Sequence, residues 1–148
     1  MDRFTRGFVA GVLAAIIQSI IGFVLFYLNL TELRWQNFAS VLIYGREPLL
    51  FGERVFAELS VWFFSGLMGI IFAYIISKIT GSRDYLLKGF VFAETVWFST
   101  FAITLLYKVP EFKIITLKTS IANFVLSAIW GLLVAWILYR LDTQEKVS

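Results

Sequence analysis

Four long apolar runs, separated by short polar connectors, dominate this chain. They cover Gly7 to Leu30, Leu59 to Ser77, Gly89 to Tyr107 and Thr119 to Tyr139. Each is close to the ~20 residues an α-helix needs to cross a ~30 Å hydrocarbon core. The pattern predicts an all-α fold, a four-helix transmembrane bundle. Residues 1–148 form a single integral membrane domain, with spans at about 7–30, 55–77, 87–107 and 119–139. The second span starts ahead of its apolar run because Val55 to Glu58 continue a helical pattern, and Pro48 suits the first residue of that longer helix. Both prolines, Pro48 and Pro110, lie between spans, so no span is expected to kink at proline. Arg3 and Arg6 precede the first run as they would in a signal peptide. The run is longer than the ~7–15 apolar residues of such a peptide and no small-residue cleavage site follows, so it reads as a retained span.

The longest connector, Thr31 to Gly45, has a pattern of its own. Trp35, Phe38, Ala39 and Leu42 recur at i, i+3, i+4 and i+7, one face of a helix. A short interfacial helix between spans 1 and 2 follows from this. The other connectors are shorter. One holds the turn signal Thr80-Gly81-Ser82 and the other holds Pro110. Short connectors make successive spans antiparallel and put both termini on one side. That side carries Arg3, Arg6, Lys78, Arg83, Lys88, Arg140 and Lys146; the other carries Arg34, Arg46, Arg54, Lys108, Lys113 and Lys118. The small excess predicts a multi-pass protein of the cell (cytoplasmic) membrane with its termini in the cytoplasm.

Composition narrows the chemistry. The chain is 59% hydrophobic, against the roughly 45–50% apolar content of soluble domains. Cysteine and histidine are absent, which removes disulfides, thiolate catalysis, Cys/His zinc sites and histidine acid–base chemistry. The net charge of +3 comes from residues scattered among connectors, which gives no basis for a nucleic-acid partner. Neither G-x-x-x-x-G-K-[ST] nor G-x-S-x-G occurs. No catalytic residue, cofactor or metal ligand can be assigned, and an enzyme is not expected.

Lipid is as apolar as leucine, so spans associate by close packing or by polar contacts. Gly7, Gly11, Ala15 and Ser19 recur every four residues in span one, and Ser65, Gly69, Ala73 and Ser77 do so in span two. Ser127, Gly131 and Ala135 do so in span four. These stripes suit packing within one protomer, or else a dimer face. Span three has only Gly89 and Ala93 and is bulkier, with Phe90, Trp97, Phe98 and Phe101.

Four polar residues fall at membrane depth: Gln18, Glu58, Glu94 and Asn123. Such groups are costly there and are candidates for function. Glu94, a turn or more inside span three, would have to be neutral or paired. It suits a proton or cation site, or a hydrogen bond to Gln18, a serine or a carbonyl. Glu58 near Arg54 suits an interfacial ion pair. Gln18 and Asn123 suit hydrogen bonds between helices.

The two halves also echo each other. Arg6-Gly7-Phe8-Val9 matches Lys88-Gly89-Phe90-Val91, Phe56-Ala57-Glu58 matches Ile121-Ala122-Asn123, and Gly66-Leu67 matches Gly131-Leu132. A duplicated two-helix hairpin in parallel orientation accounts for this, as does chance matching of apolar strings.

The tracts Arg6-Gly7-Phe8-Val9-Ala10-Gly11, Leu30-Thr31-Glu32-Leu33-Arg34-Trp35, Tyr44-Gly45-Arg46-Glu47-Pro48, Tyr85-Leu86-Leu87-Lys88-Gly89 and Lys108-Val109-Pro110-Glu111 carry a resemblance. Together they resemble a family of small, uncharacterised four-span membrane proteins of Gram-positive, spore-forming bacteria. The resemblance implies four spans and the bacterial cell membrane, and supplies no site residues. Small multidrug transporters also have four spans, but their essential glutamate lies in span one, where this chain has Gln18.

Two functions fit. The first is an accessory, structural or regulatory component acting through helix–helix contacts. Its partners would be the lipid bilayer and either further copies of the chain or another membrane protein. The second is a small oligomeric transporter or channel with Glu94 near its pathway.

Overall fold

The structure is a computed structural model that describes residues 1–76, 78, 83–106 and 115–145. Among them are five helices and no strand: α1 (Arg3–Tyr27), α2 (Trp35–Tyr44), α3 (Phe51–Ile75), α4 (Tyr85–Leu106) and α5 (Leu117–Glu145). Four of these, α1, α3, α4 and α5, are long and apolar enough to cross a membrane. The chain is a multi-pass membrane protein built as a four-helix bundle with one extra short helix. Ser77, Thr80-Gly81-Ser82, Tyr107, Lys108, Pro110, Lys113 and Lys146 lie outside the described residues.

Local chemistry sets the boundaries, which differ from the sequence expectation at several ends. Helix α1 starts at Arg3 because the Asp2 carboxylate accepts the Thr5 N–H at 2.9 Å. It stops at Tyr27, short of Leu30. Asn29 turns left-handed (φ 54°), and the Leu30 N–H closes back on the Leu25 carbonyl at 2.9 Å. Pro48 is not in α3. The Glu53 carboxylate accepts the Leu49 and Leu50 N–H groups at 2.8 and 3.3 Å and so fixes the start at Phe51. Arg46 locks the same carboxylate with two hydrogen bonds, at 3.0 and 2.8 Å. Helix α5 runs past Tyr139 to Glu145, and at this end Asp142 pairs with Arg6 of α1 at 2.8 Å.

Packing follows the small residues. Helix α1 lies closest on α3, and α4 on α5; α1 also packs along α5, whereas α3 and α4 barely meet. At the first seam, a methyl on Gly7 would come within 2.8 Å of the Gly69 carbonyl, and one on Gly11 would overlap the Ser65 carbonyl. At the second, a methyl on Gly89 would overlap the Gly131 carbonyl and come within 2.7 Å of Ala135. Ser127 donates to the Ala93 carbonyl at 2.9 Å. Both seams are backbone-on-backbone contacts that only small residues permit. Gly7, Gly11, Ser65, Gly69, Ala73, Ser127, Gly131 and Ala135 are therefore all engaged within the protomer.

The two hairpins, α1–α3 and α4–α5, are built alike, with a corrected register. Gly69, not Gly66, stands to Gly7 as Gly131 stands to Gly89. The sequence match had slipped by three residues, close to one helical turn, which keeps apolar strings looking similar.

Candidate functional site

The resemblance between hairpins ends where they meet. Helix α1 packs on α5 along one side, but the equivalent seam between α3 and α4 stays open. Helix α2, which has no counterpart among the described residues of the second hairpin, holds it open. Its Phe38 is 2% exposed and packs on Trp35 and on Phe101 of α4, with ring centroids 5.6 and 5.0 Å apart. The face expected from the sequence, Trp35, Phe38, Ala39 and Leu42, is the face that roofs the opening. At the other end the Phe72 and Phe92 rings meet at 5.3 Å, and Phe92 stacks on Trp130.

Between roof and floor lies a cleft of about 390 Å³. Its back wall is Gln18, Ser65, Ala93, Ser127 and Trp130, all buried. Its rims are Ser60, Phe64 and Met68 on α3 and Val96, Thr100 and Ile103 on α4. Phe64 and Ile103 are 46% and 50% exposed, so the cleft opens sideways, toward the bilayer.

The polar side chains around it are largely committed. Ser60 donates to the Phe56 carbonyl (2.8 Å), Thr100 to Val96 (2.9 Å), Ser127 to Ala93 (2.9 Å) and Gln18 to Leu126 (3.0 Å). The Trp130 indole reaches the Gly11 carbonyl at 3.4 Å. The Trp35 indole N–H is buried without a partner. The lining is mostly hydrocarbon.

The four polar candidates do not form one site. Gln18 alone lines the cleft, and its bond to Leu126 ties α1 to α5. Asn123 donates to the carbonyls of Thr119 (2.9 Å) and Leu33 (3.4 Å), while the Thr119 hydroxyl accepts the Glu32 N–H at 3.1 Å. Together they pin the α1–α2 loop to the start of α5. Glu58 accepts the Trp62 indole N–H at 3.1 Å, which also reaches Ser19 at 3.1 Å. Its cationic neighbour is Arg34 from the loop rather than Arg54, with which it forms no ion pair among the described residues. The Arg34 guanidinium lies 4.7 and 4.8 Å from the Phe23 and Phe26 ring centroids. Burial there lowers its pKa, the Glu58 charge opposing.

Glu94 stands apart, one residue along α4 from Ala93 and outside the cleft lining. The flanking Phe90 and Trp97 rings both pack on Phe124 of α5, with centroids 6.1 and 5.6 Å away. Both carboxyl oxygens and the Trp97 indole N–H are buried with no hydrogen-bond partner. Neither Gln18, a serine nor a carbonyl reaches Glu94 among the described residues.

Sequence periodicity did not single out the rim residues. Each span is apolar around its whole circumference, so no stripe distinguishes a cleft-facing side. The one available signal was the amphipathic face of α2. Compared with known proteins, the chain matches no family model, no curated protein and no solved structure.

Proposed function

We propose that this protein is an accessory component of the membrane, structural or regulatory, that acts through contacts made inside the bilayer. The observation that carries the reading is the unclosed α3–α4 side. The small-residue stripes are already used between α1 and α3 and between α4 and α5, so they are not free to recruit a partner. Helix α4 buries only 11% of its most apolar window, against 33–50% for the other spans. The rims of the cleft and the outer face of α4 are the surface on which a partner span would rest. Purification from native membranes in mild detergent, followed by native mass spectrometry, tests this. A stoichiometric foreign subunit is expected. A closed ring of this chain alone would contradict it.

The second reading, a small transporter or channel, rests on the two unpartnered carboxyl oxygens of Glu94. Against it, Glu94 does not line the cleft, and the cleft offers a translocated ion few free ligands. The accessory reading predicts that Glu94→Gln leaves complex formation intact and changes no ion or drug flux in liposomes. A flux present in the wild type and absent from Glu94→Gln would favour the transporter instead.

A further inference from the structure

We infer that the α3–α4 cleft is a binding site for one acyl chain of a bilayer phospholipid, drawn from the leaflet on the α2 side. The inference rests on the proposed working side of the molecule and names what fills its recess.

The shape argues first. The α3 rim runs from Ser60 to Met68, about 12 Å at ~1.5 Å per residue. One leaflet contributes about 15 Å of a ~30 Å core, so the cleft matches a single leaflet rather than a full span. It is roofed by α2, and beyond its lower lining residues, Met68 and Trp130, the Phe72 and Phe92 rings meet. The cleft holds about 390 Å³.

The chemistry argues second. The lining is mostly hydrocarbon, and the hydroxyls of Ser60, Thr100 and Ser127 and one Gln18 N–H already donate to backbone carbonyls. A hydrocarbon chain needs no hydrogen bond and gains van der Waals contact with every wall. Because the mouth opens sideways through Phe64 and Ile103, the bilayer itself supplies such chains at high concentration. The roof lies at the end where α2 and the Arg46–Glu53 pair mark the polar boundary, so the ester end of the lipid sits beside α2.

The test uses the full chain purified in mild detergent, with native mass spectrometry and extraction of retained lipid. Wild type is expected to keep about one phospholipid per protomer through delipidation that strips annular lipid. Ala39→Trp, which fills the cleft from the roof, and Thr100→Phe, which fills it from the rim, should each lower retention roughly tenfold, since the new ring forfeits the chain's contacts with the walls. Unchanged helical circular dichroism identifies the folded variant, and either one suffices. A wild type free of phospholipid, equal retention in a folded variant, or retention of a non-lipid molecule would overturn the inference. A foreign subunit co-purifying without lipid would leave the accessory role standing while ending this inference. A retained lipid without a subunit would do the reverse.

Discussion

At Gly11 the molecule has no room for one more carbon. A methyl there would overlap the Ser65 carbonyl, and α1 would have to leave α3 to accommodate it. Gly11→Ala should therefore lower stability by about 1–3 kcal/mol, the usual cost of overpacking. Gly52 is the contrast. A methyl there meets nothing within 4 Å, so Gly52→Ala should be neutral or stabilising by up to about 1 kcal/mol through helix propensity. Thermal unfolding of both variants in one detergent decides whether the backbone seams hold the bundle. Glu94 makes a different prediction. Its carboxyl oxygens are buried and unbonded, and an unsatisfied buried group costs about 1–3 kcal/mol. Glu94→Leu should raise stability by about that amount. A loss of stability would mean that the carboxyl has a partner in the membrane that holds the fold together.

At the scale of elements, α2 matters most. It has no counterpart among the described residues of the second hairpin, and its Phe38 wedges against Phe101 of α4. Phe38→Ala should let α4 fall toward α3. Spin labels on α3 at Phe64 and on α4 at Thr100 should then report a shorter separation in bilayers, and an unchanged separation would show that α2 is not the wedge. The start of α1 carries a pH dependence. Its cap, Asp2, lies outside the span, and the hydrogen bonds from Thr5 hold its carboxyl below the ordinary value of 3.8. A carboxyl depressed on folding stabilises above its unfolded pKa and loses that contribution as pH falls through the folded value. Capping is then intact at neutral pH and lost only well into acid. The difference in stability between wild type and Asp2→Asn should accordingly vanish below that range.

At the scale of the whole molecule, sequence and structure agree on four long apolar helices with a short helix between the first two. Apolar run length made the four crossings legible, and the face Trp35, Phe38, Ala39 and Leu42 made α2 legible. Small residues at four-residue spacing marked helix faces that do pack, although nothing in one span names the span it meets. The cleft was not legible at all. It arises because two similar hairpins close on one side and are wedged apart on the other, a relation between elements rather than a motif within one. The polar residues, which drew attention in sequence, turn out to serve different ends: Gln18 and Asn123 tie parts of the bundle together, Glu58 meets Trp62, and only Glu94 is left without a partner.

The central claim is that the α3–α4 side is the working surface of the protein. A photo-reactive residue placed at Phe64, on the rim, and another at Ile121, equally lipid-exposed but outside the cleft, test it in native membranes. The account predicts a discrete adduct with defined membrane constituents at Phe64, far above the labelling at Ile121. Equal, diffuse labelling at the two positions would contradict it.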